Sequence, residues 1–128
     1  TLDGQPFNLA ALQGESVLVH FWADWCPLCK LMDGAISALA QDHVVVTVAM
    51  QSGEPAELRD LMRESGRDYR VIADPRGEIA ARWGVPAVPA TFVLDSAGRI
   101  RASTVGASTE TGLRLRLWHA GQLDPRGP

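Results

Sequence analysis

The apolar positions of this chain follow two rhythms. "SVLVHFWA" (16–23) and "HVVVTVAM" (43–50) are continuous, β-rich runs that suit strands buried on both faces. Between them Leu31, Met32, Ala35, Ile36, Leu39 and Ala40 recur at helical spacing and predict a helix from about Pro27 to Gln41 with one apolar face. Strand, helix and strand form a βαβ unit, whose two strands run parallel. "SGEP" (52–55) starts a second helix that turns Leu58, Leu61 and Met62 inward and stops near Gly66. "YRVIAD" (69–74) reads as a short strand and "PRGEIAARWG" (75–84) as a short helix closed by Gly84. "TFVLD" and "RIRASTV" flank "SAG" as a β-hairpin. "STETGLRLRLWHAG" (108–121) opens on a Ser or Thr cap and buries Leu113, Leu117 and Trp118, and the tail "QLDPRGP" reads as frayed. The result is an α/β chain with a mixed or parallel sheet, without repeats or linkers.

Length and charge narrow this picture. A chain of 128 residues suits one domain, 1–128, large enough to bury a core without staples or a structural metal. The net charge of −3 and the scattered arginines provide no basic stripe for phosphates, so nucleic acid is a poor partner. Lys30 is the single lysine among twelve basic residues, which we read as compositional bias. No apolar run is long enough to cross a bilayer or to form a signal-peptide core. The chain opens at "TLDGQPFNLAALQGE", already in strand and turn material. The expectation is the soluble part of an exported or anchored protein, with its leader or anchor outside this sequence.

Both cysteines lie in "FWADWCPLCK" (21–30), at the junction of the first strand and the first helix. A thiolate, not a thiol, attacks disulfides, so a redox cysteine needs stabilisation of negative charge on sulfur. A helix N-terminus supplies it through unpaired N–H groups and the macrodipole. Cys26 falls at the N-cap, and Pro27 at the first helical position, where its missing N–H costs nothing. The N–H groups of Leu28 and Cys29 can then point at the Cys26 sulfur. Cys29, one turn in, is the more buried thiol and keeps its proton longer. Cys26 is therefore the attacking nucleophile and Cys29 the resolving thiol. Half a zinc site is the weaker reading, because there is no second CxxC and His20, His43 and His119 stand alone. So is an inert disulfide, which would close too short a loop to stabilise much.

In "GVPAVPATFVLD" (84–95), Pro89 precedes a strand whose interior would not tolerate it. A cis Val88-Pro89 bond would explain the placement; an ordinary trans loop proline is the alternative.

Together the two segments resemble the thioredoxin superfamily, whose hallmark is a WCxxC turn facing a distant cis-proline loop. The opening segment through Cys26 and the stretch 52–75 look like the TlpA-like branch of thiol-disulfide oxidoreductases. The stretch 48–85 looks closest to ScsD-like members associated with suppression of copper sensitivity. The resemblance implies a thioredoxin-like fold, a central mixed sheet with helices on both faces. Val88 would offer backbone N–H and C=O groups to an extended substrate, with Trp25, Leu28 and Pro89 as the apolar rim around Cys26. Trp22 is assigned to the core. His20 stands where thioredoxins carry a buried, proton-relaying aspartate. It is either a relay near neutral pH or a core histidine with a hydrogen-bonded ring.

The expected function is a thiol-disulfide oxidoreductase of the bacterial cell envelope, a reductase or isomerase of protein disulfides. It would be periplasmic or anchored facing the periplasm, monomeric, without a cofactor, and recharged by a membrane redox partner. The alternatives are a Cu(I)-binding or delivery module on the same two thiolates, or an oxidant that introduces disulfides. A peroxidase would need a PxxxTxxC context that "HFWADWC" lacks. Pro27-Leu28 between the cysteines does not reveal the redox poise.

Overall fold

The computed structural model describes residues 15–66 and 69–122. The strand and turn material expected at 1–14 and the tail beyond Gln122 lie outside them. In chain order the elements are β1 (Val17–Trp22), α1 (Pro27–Asp42), β2 (Val44–Met50), α2 (Pro55–Ser65), β3 (Arg70–Asp74), α3 (Glu78–Arg82), β4 (Ala90–Leu94), β5 (Ile100–Val105) and α4 (Glu110–Gln122). The five strands form one mixed sheet in the order β3-β2-β1-β4-β5. β1, β2 and β3 run parallel, as the βαβ pattern requires, while β4 and β5 are antiparallel to their neighbours.

β1 lies at the centre, and all six of its residues are buried, which is why its sequence does not alternate. Its side chains still divide by pleat. Leu18 joins Ile36, Leu39, Leu113 and Leu117, and Trp22 joins Leu58 and the two cysteines, so α1, α2 and α4 cover one face. Val17, Val19 and Phe21 point the other way, onto Ala80 of α3. There Phe21, Trp83 and Phe92 meet with ring centroids 5.1–5.7 Å apart. Helices therefore flank both faces, as expected.

Two expected core residues are on the surface instead. Leu31 is 79% exposed and Trp118 64%. The buried stripe of α1 runs through Cys29, Met32, Ile36 and Leu39, and that of α4 through Leu113, Leu117 and Ala120. Leu31 and Trp118 each stand one residue, about 100° of helix, away from that stripe, beyond what the sheet covers.

The β4–β5 hairpin closes on Asp95, whose side chain is fully buried. Its Oδ1 accepts from the N–H groups of Ala97 (3.0 Å) and Arg99 (2.9 Å), and its Oδ2 from Nε of Arg101 at 2.8 Å. Burial alone would raise this carboxyl's pKa, but the Arg99 N–H, the Arg101 guanidinium and the Ala97 N–H together hold it below the ordinary value. The hairpin carries the proline loop at its other end, where the Gly106 N–H donates to the Pro89 carbonyl at 2.8 Å.

Because the carboxyl's pKa is depressed in the folded state, Asp95 contributes stability above its unfolded pKa and loses it as pH falls through the folded value. Asp95→Asn should cost about 2 kcal/mol in urea unfolding at neutral pH. The gap to the wild type should close below about pH 4. A gap that persists unchanged in acid would show that charge on Asp95 is not the cause.

Candidate active site

Cys26 occupies the N-cap of α1 with extended backbone (φ −97°, ψ 110°), and Pro27 begins the helix. The Cys29 N–H donates to the Cys26 Sγ at 3.2 Å, the bond a capping oxygen ordinarily accepts. Of the two N–H groups expected at the sulfur, this is the one that reaches it. On its other side, the Cys26 thiol points to the Val88 carbonyl at 3.8 Å. Both thiols are free. Cys26 retains 6% of its surface and Cys29 1%, so the outer sulfur belongs to Cys26.

Cys29 is held firmly in the protonated form. Burial, above all, pushes its pKa up to about 12. The hydrogen bond with Cys26 adds to this, as do the nearby charges of Cys26 and Asp33, while an Ala23 backbone contact opposes it. Asp33, one turn further along α1, accepts from the Tyr69 hydroxyl at 3.2 Å.

The Val88-Pro89 peptide bond is cis. Pro89 is buried and Val88 half-buried, so the backbone that meets Cys26 precedes the first residue of β4. Trp25 is 58% exposed and Leu28 39%, and both stand beside Cys26 in the chain. Trp22 is buried and packs edge-on against Tyr69 with centroids 6.2 Å apart.

Sequence patterns did not reveal what fixes Trp25. Its indole Nε1–H donates to the Gln51 carbonyl at 3.2 Å, and the Asp24 N–H donates to the Ser52 hydroxyl at 2.8 Å. Gln51 adopts φ +51°, and its own N–H donates to the Asp74 carbonyl at 2.8 Å. The turn after β2 thus clamps the residues that lead into Cys26. The sequence signal there, "SGEP", points only to a helix start.

His20 is buried in β1 between Thr47 of β2 and Thr91 of β4, its partners across the sheet. Its Nδ1 lies 3.1 Å from the Thr91 hydroxyl. Burial lowers its pKa to about 4, so the ring is neutral near neutral pH. The geometry as a whole presents one sulfur at a helix N-terminus, a second thiol behind it, and the Val88 carbonyl beside them. That arrangement suits attack on a disulfide followed by release.

Comparison with known proteins agrees with this chemistry. The family model described as Redoxin matches residues 1–115. A thioredoxin-like protein of Haemophilus influenzae is 36% identical over 121 residues, spanning 93% of this chain and 72% of the relative. The thiol:disulfide interchange protein HelX of Rhodobacter capsulatus is 37% identical over 114 residues, covering 88% of this chain but 65% of its own length. Among solved structures, a secreted Mycobacterium tuberculosis disulfide oxidoreductase homologous to DsbE superimposes with a TM-score of 0.76 at 27% identity. The match covers 93% of this chain and 92% of that one.

Two measurements probe the site. Iodoacetamide near pH 8 should label Cys26 and spare Cys29, read by peptide mass spectrometry; equal labelling would contradict the raised Cys29 pKa. The depressed His20 pKa means that the unfolded chain binds the extra proton between its ordinary value of about 6.5 and about 4. Stability should therefore be complete above that window and fall by roughly 3 kcal/mol through it as pH drops. His20→Gln should flatten this slope in denaturant titrations, and a slope unchanged by the substitution would assign it elsewhere.

Proposed function

The chain belongs to the Redoxin family and, within it, to the thioredoxin-like thiol-disulfide oxidoreductases, and from that premise we propose that it reduces or isomerises protein disulfides in the bacterial cell envelope. The observation that carries this reading is the Cys26 sulfur, capped by the Cys29 N–H and facing the Val88 carbonyl.

The reaction balances on the two sulfurs alone. The Cys26 thiolate attacks one sulfur of the partner's disulfide, forming a mixed disulfide and expelling the other as a thiolate. Cys29 then attacks the Cys26 sulfur, breaking the mixed disulfide, and its proton passes to the partner sulfur that had been bonded to Cys26. Two electrons move from the dithiol to the partner, and the chain is left oxidised. No bound cofactor is required, because both electrons reside on the pair.

The Val88 backbone orients the partner's segment by strand addition, and Pro89 shapes the cleft beside Cys26. Pro27 starts the helix whose Cys29 N–H faces the sulfur, and Trp25 and Leu28 form the rim. A ring held neutral down to about pH 4 is a weak proton acceptor, so we assign His20 to packing and to its Thr91 hydrogen bond rather than to a relay.

Residence outside the cytoplasm is supported by the secreted relative. Among the described residues no helix is long and apolar enough to cross a membrane. A domain oxidised at each turnover needs a reductant, and a membrane dithiol partner is the natural source in an envelope. We take the unit to be a single thioredoxin-like domain acting as a monomer.

The ScsD-like assignment, with its link to copper tolerance, rests on the sequence resemblance alone. Cu(I) on the two thiolates is the second reading, favoured by their shared position at the start of one helix turn. The described residues assemble no group of three or more His, Cys, Asp or Glu side chains for a metal.

The deciding experiment is the reduction potential of the pair in glutathione or dithiothreitol buffers, with Cys29→Ser as a trap. A value near about −270 mV is expected, with the variant accumulating a mixed disulfide through Cys26. A value near about −120 mV would make the chain an oxidant, and tight Cu(I) binding without any trapped partner would favour the metal reading.

A further inference from the structure

Leu31 is the most exposed large hydrophobic residue among those described, and it does not stand by itself. Trp25, Leu28 and Leu31 are spaced three residues apart and are 58%, 39% and 79% exposed, starting next to Cys26. Leu28 and Leu31 are neighbours on the α1 surface, and Leu31 extends the row about 4.5 Å further along the helix axis. The Trp25 indole is tied to the Gln51 carbonyl, so the ring is held toward the turn after β2. The helix that carries Leu31 is anchored through Met32, Ile36 and Leu39, so the ridge rests on a rigid base. Single exposed leucines are ordinary; a row that begins at the reacting sulfur is not.

We propose that Trp25, Leu28 and Leu31 form one docking ridge for the polypeptide segment flanking the partner's attacked cysteine, with Leu31 receiving an apolar side chain of that segment. This rests on the reading of Cys26 and Cys29 as an exchange pair. The occupant follows from continuity with that chemistry. A mixed disulfide on Cys26 brings the partner's backbone against Val88 on one side and Leu28 on the other. The next stretch of partner chain then lies over Leu31. A small disulfide such as oxidised glutathione reaches Cys26 without extending that far, so Leu31 distinguishes protein partners from small ones. The remaining exposed apolar residues, Ile100 and Val105 of β5 and Leu115 and Trp118 of α4, belong to other elements and serve for comparison.

Leu31→Gln removes the apolar surface while adding no charge near the sulfur and retaining a good helix former. Leu115→Gln makes the same change at a 62% exposed position on α4. Each reduced protein is assayed against insulin and against oxidised glutathione. Leu31→Gln should slow insulin reduction roughly tenfold, the scale of partly burying one leucine, and leave the glutathione rate within about twofold. Leu115→Gln should change neither. The ridge is overturned if Leu31→Gln reduces insulin like the wild type or slows both substrates alike. It is also overturned if the wild type dimerises and Leu31→Gln abolishes the dimer, which would assign the surface to a second copy. A wild type inert toward both disulfides would instead overturn the exchange reading, and the ridge with it.

Discussion

The Cys29 N–H on the Cys26 sulfur, at 3.2 Å, is the contact around which the rest of this end of the molecule is arranged. A helix start leaves N–H groups without intrahelical partners, and side-chain oxygen ordinarily satisfies one of them. Here sulfur takes that place, and no acidic residue stands in the first turn of α1 to compete for the positive end of the helix. For the cap to form, the chain must leave β1 and enter the helix within four residues, with Cys26 in extended geometry. The Cys26 N–H bond to the Ala23 carbonyl at 3.2 Å holds that turn, and Pro27 supplies the helical φ at once.

Two further loops meet the Trp22–Pro27 junction from the two sides of β1, one at Asp24 and Trp25 and the other at the Cys26 sulfur itself. The turn after β2 arrives through Gln51 and Ser52, and the loop before β4 through Val88 and Pro89. β2 and β4 are the two neighbours of β1, so the sheet order itself brings these loops to the mouth of the βα junction. Ligand sites of α/β folds gather at the carboxyl ends of strands for this reason. The β4 side is fixed at a distance, by the Asp95 knot at one end of the hairpin and the Gly106 to Pro89 bond at the other.

Much of this was legible in the sequence because it is local. An apolar run, two cysteines around a proline and a following helical period are all read within one window, and they place Cys26 and Cys29 correctly on the fold. The edge of an apolar stripe is not local. Leu31 and Trp118 match a helical period as well as their buried neighbours do. Only the width of sheet beneath the helix decides that Met32 and Leu117 go inward and these two do not. The clamp on Trp25 was hidden for a different reason: its acceptor at Gln51 is a backbone carbonyl, which every residue type has, aimed by a φ of +51° in a residue other than glycine. His20 is intermediate. Its burial was implied by its place in β1, but the size of the desolvation, and hence a neutral ring, required Thr47 and Thr91 on the adjacent strands.

The raised Cys29 pKa also bears on the order of the two proposed chemical steps. Part of what keeps that thiol protonated is Cys26 itself, through a hydrogen bond and through charge. Once Cys26 is bonded to a partner sulfur, it carries no charge and no thiol proton, and both of those contributions vanish. Burial, the largest cause, and Asp33 remain, so Cys29 stays buried while losing the two restraints that Cys26 supplies. On the proposed exchange reading, Cys29 is thus quiet in the free protein and is released from part of that restraint by the mixed disulfide it has to break. A partner that merely rests on the rim leaves Cys26 unbonded and Cys29 protonated, so docking alone does not start resolution. Coupling through a shared proton and charge needs no moving part, which suits a site built on one rigid βα junction.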